Sequence, residues 1–99
     1  MADFIGATDS AAPCAILLAV ARAVTPLLRA GAAGSALQLV FFDGEEALVE
    51  WTATDSIYGA RHLATKMAKT VISGSATTEL QAIDLMVLLD LLGAPAPAV

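Results

Sequence analysis

Cysteine is almost missing: Cys14 is the single one in 99 residues, so no disulfide can close within the chain. A lone thiol says little about redox compartment. Basic residues are scarce too, five against ten acidic ones for a net charge of −5, a balance that repels phosphate backbones and anionic membrane surfaces. Nucleic-acid binding is therefore not expected. No long uncharged apolar run is present either. The longest, Ala11 to Ala21, contains Pro13 and ends at Arg22, short of the ~20 residues that cross a bilayer. No membrane span is expected. A basic leader is also lacking, because Asp3 and Asp9 follow Met1, and no secretory signal is expected from this N-terminus.

What the chain has in excess is apolar surface. Hydrophobic residues make up 58%, above the ~45–50% of ordinary domains even when those are counted with glycine. A domain of this length buries only about 60–70% of the surface its unfolded chain exposes. Much apolar area would stay in water, so the expectation is a single partial domain, residues 1–99, belonging to something larger.

Ala11 to Ala30 is rich in Ala and Leu, with Ile16, Val20, Val24 and Leu27 at helical spacing, and reads as a largely buried helix. Ser10 or Asp9 is expected to cap it, Pro13 suits its first turn, and Pro26 should end or kink it. After small loop residues from Gly31 to Ser35, residues 36–42 read as a strand covered on both faces. It stops at Asp43-Gly44-Glu45-Glu46. A second helix is expected from Tyr58 to Lys69, with Leu63 and Met67 on one face and Lys66 and Lys69 in its last turn. Following a polar loop through Ser73-Gly74-Ser75, residues 83–92 read as another buried strand, ending at Gly93-Ala94-Pro95. The order α-β-α-β implies α/β architecture with a right-handed crossover between parallel strands. Two such strands need neighbours, which this reading places outside the chain.

Ligands in open α/β sheets bind beyond the carboxyl ends of the strands. Glu45 and Glu46 fall there after the first strand, Asp90 near the end of the second, and Asp9 just ahead of the first helix, after a strand that Asp3-Phe4-Ile5 only begins. Asp43, Glu45, Glu46 and Glu50 crowd into eight residues, a like-charge repulsion that a divalent cation or solvent must answer. Two readings stay open: a solvated acidic loop, or adjacent acids dividing the work of ligating a zinc ion and acting as a base. Asp9 is either a ligand or only a helix cap. Burial near the end of an apolar strand would suit Asp90 to share or relay a proton.

Five stretches then combine: Gly6-Ala7-Thr8-Asp9-Ser10-Ala11-Ala12-Pro13-Cys14-Ala15; Phe41-Phe42-Asp43-Gly44-Glu45-Glu46-Ala47; Trp51; Asp55-Ser56-Ile57-Tyr58-Gly59-Ala60-Arg61-His62-Leu63-Ala64; and Leu88-Leu89-Asp90-Leu91-Leu92-Gly93-Ala94-Pro95. In this order, over nearly the whole chain, they resemble the animal-type glutaminyl-peptide cyclotransferases, or glutaminyl cyclases. The resemblance implies the zinc aminopeptidase fold, a three-layer sandwich with a mainly parallel central sheet, of which this chain would be the central part of an M28-peptidase-like catalytic domain. It implies an acyltransferase that turns an N-terminal glutamine into pyroglutamate and releases ammonia, acting on peptides or proteins. One zinc ion would be held by Asp9 and Glu46, with Glu45 as general acid/base and Asp90 in a carboxylate hydrogen-bond network beside it. Trp51 would line the substrate pocket, although an aromatic packed over the acid loop is the competing reading. The family's third ligand, a histidine, has no counterpart here; His62 lies in the second helix, in a family-typical Arg-His-Leu. The cysteine that pairs with Cys14 in the family is likewise missing.

From these gaps the isolated chain is expected to be inactive or not stably folded. The rival readings are a zinc aminopeptidase of the same fold and a non-enzymatic truncated product. Ser10 bears on the first, because peptidases of the fold typically place a second Asp after the metal Asp. Family resemblance points to a secreted or Golgi protein.

Overall fold

A computed structural model describes residues 5–31 and 34–95. The start of the strand proposed at Asp3-Phe4, and part of the loop at Ala32-Ala33, lie outside the described residues. The chain divides into two compact units, Met1–Val40 with Val87–Val99, and Phe41–Met86.

In the first unit, helix α1 spans Ala12–Arg29, preceded by one wide π-type turn over Ala7–Ala11. Neither Ser10 nor Asp9 caps α1, since no side-chain cap bond is made at its start. Backbone does this instead. The amide of Ala11 bonds to the Gly6 carbonyl at 2.8 Å, and that of Ala12 to the Ala7 carbonyl. Pro13 has no amide to satisfy. Asp9 and Ser10 take non-helical backbone angles, and the peptide between them is cis.

Pro26 does not end the helix. It removes one amide near the last turn, and the chain recovers with Ala30 N–H bonded to the Pro26 carbonyl at 3.1 Å and Gly31 N–H to the Leu28 carbonyl at 3.0 Å. Termination falls to Gly31, whose φ of 71° is the left-handed conformation that a residue just past a helix end commonly takes.

The stretch Ala7–Arg29, 23 residues with a mean hydropathy of 1.8, is long and apolar enough to cross a membrane. That differs from the sequence expectation, which counted only the uncharged run. A helix of an inner α/β layer meets the same description. Arg22 in mid-helix argues against a bilayer, where a central charge costs roughly 2.5–3.5 kcal/mol or more.

In the second unit, α2 spans Tyr58–Lys69, with the boundaries expected from sequence. Thr70 closes it, its hydroxyl and amide both reaching the Lys66 carbonyl at 2.9 and 3.0 Å. A tight reversal follows, in which Val71 bridges Thr78 in antiparallel sense and Gly74 turns the chain at φ 78°. Thr78 and Gln81 then exchange bonds, each side chain accepting the other's amide at 2.9 and 3.2 Å. This is a capping box on a single helical turn.

Residues 36–42 and 83–92 form no ladder among the described residues, where Val71–Thr78 is an isolated bridge. A central strand bonds on both edges to neighbours. The apolar side chains of these segments lie largely open, Leu85 at 81%, Leu88 at 70% and Phe41 at 51% exposure. Among the described residues the buried apolar side chains are Met67 on α2 and Pro13 on α1. The apolar excess read from composition thus stands on the surface.

Candidate functional site

The site grows out of the turn at Asp43-Gly44-Glu45. Asp43 begins it by accepting the amide of Gly44 on its own carboxylate at 2.9 Å, a local bond typical of Asp at turns. Gly44 takes φ 61°, which glycine adopts without a Cβ penalty.

This turn is joined to the head of α2. The first amides of any helix lack intrahelical partners, and here three consecutive ones find carbonyls in the acid turn. Ile57 donates to Glu45 at 2.7 Å, Tyr58 to Gly44 at 2.7 Å and Gly59 to Asp43 at 3.1 Å. The approach is so close that a Cβ on Gly59 would stand 2.3 Å from the Asp43 carbonyl oxygen. Only glycine fits there. Ile57, at the junction, is held at φ 42°, ψ 42°, left-handed geometry that is rare for a β-branched residue.

Between the acid turn and α2 the loop is tied by Asp55. Its Oδ1 accepts the amide of Leu48 at 2.7 Å and the phenol of Tyr58 at 2.5 Å, and its Oδ2 accepts the amides of Val49 and Glu50, both at 2.9 Å. The Tyr58 bond, followed by the amides of Glu50 and Leu48, holds the Asp55 carboxyl well below the usual carboxylate range. The same bond raises the Tyr58 phenol above its ordinary value. Thr52 accepts the Asp55 amide on its hydroxyl at 2.9 Å, and its carbonyl accepts the hydroxyl of buried Ser56 at 2.6 Å. Arg61 reaches back from α2 to the carbonyls of Ser56 and Thr54 at 3.0 and 2.9 Å and lies over the Tyr58 ring, 4.9 Å from its centroid.

The second unit therefore carries Glu45, Glu46 and Trp51 on one braced segment. Both glutamates are exposed, as is Trp51 at 58%. Trp51 does not pack down over the acid loop as a core aromatic would.

Asp9 and Asp90 belong to the first unit. Asp9 is half-buried ahead of α1, and Asp90 is exposed. The burial expected of Asp90 is not found, because the apolar residues before it are themselves uncovered. The backbone after it turns through left-handed Leu91, φ 50°, and Gly93, φ 98°. A Cβ at Gly93 would lie 3.2 Å from that of Ala12. The segment bearing Asp90 thus comes against the first turn of α1, three positions beyond Asp9. Cys14 has Ser10 as a neighbour, its Sγ 3.8 Å from the hydroxyl, and His62 lies exposed on α2.

Among the described residues no three His, Cys, Asp or Glu side chains are grouped to hold a metal ion. Asp9 and Glu46 are oxygen donors of the type zinc accepts, but zinc sites commonly use three or four protein ligands. Among the described residues these donors are not joined by a third in one group.

Sequence reasoning singled out the acids and missed Asp55, Gly59 and Arg61, which tie the acid turn and the loop after it to α2. The available signal was the Asp-x-x-Tyr spacing from Asp55 to Tyr58, ahead of a glycine inside an otherwise regular helix.

Comparison with known proteins covers nearly the whole chain. The chain is 54% identical over 99 residues to the glutaminyl-peptide cyclotransferase-like protein of Bos taurus, covering 97% of this chain and 26% of that protein. It is 51% identical over 102 residues to the glutaminyl-peptide cyclotransferase of Bos taurus, covering 95% and 28%. With the glutaminyl-peptide cyclotransferase of Drosophila melanogaster the identity is 52% over 97 residues, covering 97% and 25%. The chain spans about a quarter of the length of these relatives. The family model described as Peptidase family M28 matches residues 1–99, and the chain belongs to that family.

Proposed function

We propose that this chain supplies the carboxylate corner and part of the substrate pocket of a glutaminyl-peptide cyclotransferase, an acyltransferase that closes an N-terminal glutamine to pyroglutamate and releases ammonia. The observation that carries this reading is the acid turn bonded to the head of α2, which presents Glu45 and Glu46 side by side on fixed backbone. Identity near 50% to proteins of that name supports it.

In this reading Asp9 and Glu46 are two ligands of one zinc ion, and a histidine outside these residues is the third. When bound, the ion would polarise the γ-carbonyl of the glutamine side chain. The nucleophile is the substrate's own α-amine, so no serine or cysteine of the protein is required. Its attack forms the bond from the α-nitrogen to the γ-carbon and breaks the bond from that carbon to the side-chain nitrogen. Glu45 takes the proton lost by the amine and returns it to the departing ammonia. Asp90 belongs to the hydrogen-bond network beside Glu45, and Trp51 contacts the substrate.

Residues 36–42 and 83–92 are, on the same proposal, central strands of a three-layer sandwich, and α1 is one of its covering helices. With two carboxylate ligands the isolated 99-residue chain holds zinc weakly and is inactive.

The test replaces the matching segment of the bovine cyclotransferase-like protein with these 99 residues and follows ammonia release from a glutamine-initiated peptide. The chimera should be active, and Glu45→Gln in it should reduce the rate by about 10²–10⁴-fold, the usual contribution of a general acid/base. Activity that survives this substitution overturns the role of Glu45. Hydrolysis of a leucine anilide without cyclisation would instead establish the aminopeptidase reading.

A further inference from the structure

We propose that Asp55 is a positioning residue whose carboxylate, by gathering the amides of Leu48, Val49 and Glu50, sets the place of Trp51 at the substrate pocket. The proposal rests on the reading of Trp51 given above. Its geometry does not. Three successive amides immediately before Trp51 converge on one side chain at 2.7, 2.9 and 2.9 Å, and the residue just after Trp51 is bound to Asp55 through the Thr52 hydroxyl at 2.9 Å. Asp55 thus grips the loop on both sides of the tryptophan.

A backbone this exposed has water as an alternative partner for every one of those amides, so ordering it needs an acceptor stronger than water. A carboxylate meets that need, because bonds to an ionised acceptor are roughly twice as strong as neutral ones. The carboxylate is itself oriented: the Tyr58 phenol donates to Oδ1, and Tyr58 stands on α2 under the Arg61 guanidinium. Position passes from α2 through Tyr58 to Asp55, and from Asp55 to the loop. Trp51 has 58% of its surface exposed, so backbone restraint fixes where it stands.

Trp51 is the only tryptophan, so its emission reports on this loop without interference. In the 99-residue chain, fluorescence anisotropy should fall clearly in Asp55→Ala while the far-UV signal of the helices persists. Asp55→Asn keeps one acceptor oxygen and should fall part of the way. In the chimera described above, the KM for a glutamine-initiated peptide should rise about tenfold with Asp55→Ala, as expected for the loss of about 1.4 kcal/mol of binding.

Unchanged anisotropy in Asp55→Ala overturns the proposal. So does a fall in anisotropy with an unaltered KM in the chimera, which would make Asp55 an ordering residue with no part in the pocket. If Asp55→Ala loses its helical signal, Asp55→Asn decides by the same two readouts. If Trp51→Ala leaves the KM of the chimera unchanged, the substrate role of Trp51 has failed, and anisotropy alone decides whether Asp55 places it.

Discussion

The phenol of Tyr58 donates to Oδ1 of Asp55, the same oxygen that receives the amide of Leu48. One atom therefore joins the first residue of α2 to the loop ahead of it. Most of the expected behaviour of this half of the molecule follows from that junction.

Tyr58 is the only tyrosine, so an alkaline absorbance titration of the chain reads it directly. Its bond to Asp55 raises the phenol, and the midpoint should lie above the ordinary value of about 10. Asp55→Ala should bring it back toward that value. A midpoint identical in the two proteins would mean that the bond is not made in solution.

Acid should act on the other partner. The folded-state pKa of Asp55 is depressed, first by Tyr58 and then by the loop amides. Its contribution to stability is present above the unfolded value of about 3.9 and is lost as pH falls through the lower folded value. Denaturation monitored by circular dichroism should show stability declining below about pH 4, with a shallower decline in Asp55→Asn. Equal slopes would remove Asp55 from the account.

Gly59→Ala opposes two effects of known sign. Alanine is favoured over glycine inside a helix by about 1 kcal/mol, yet its Cβ would stand 2.3 Å from the Asp43 carbonyl oxygen. The clash is with backbone and cannot be relieved by a rotamer, so a net loss of about 1–3 kcal/mol is expected, as for overpacked sites. In the chimera, ammonia release should fall as well, because the acid turn must move. A stabilised variant would show that α2 and the turn are not in contact.

Ile57 sits where its residue type is disfavoured, at a cost of about 1–3 kcal/mol. Asparagine tolerates left-handed geometry. Ile57→Asn should therefore hold stability within about 1 kcal/mol of the parent despite losing an apolar side chain, while Ile57→Val should show no gain. Chemical denaturation distinguishes them, and a loss above about 2 kcal/mol in the asparagine variant contradicts the strain argument.

The helices were legible for separate reasons. Apolar spacing marks α1, and two lysines close the last turn of α2, where they meet the helix dipole. The Asp-Gly pair announced the acid turn. Caps were not legible: Ser10 and Asp9 are good cap residues that do not cap, and α2 is capped by carbonyls of Asp43, Gly44 and Glu45, far upstream in the chain. No local pattern encodes a bond between backbone groups so far apart. Thr78-x-x-Gln81 carries a local signature of its own, between the polar loop at 73–75 and the apolar run from residue 83. The strands proposed at 36–42 and 83–92 depend on partners that periodicity cannot name. The candidate acids stood out by type and crowding; Asp55, Gly59 and Arg61, which tie the loop to α2 through bonds to backbone and to Tyr58, stand apart from that cluster and have no such mark.

The three bonds between the acid turn and α2 also shut residues 46–56 into a closed loop with a fixed base. Insertions or exchanges near its tip around Ala53 would lengthen or reshape the rim without displacing Glu45. The surface around residue 53 can therefore change while the turn at its base stays in register with α2.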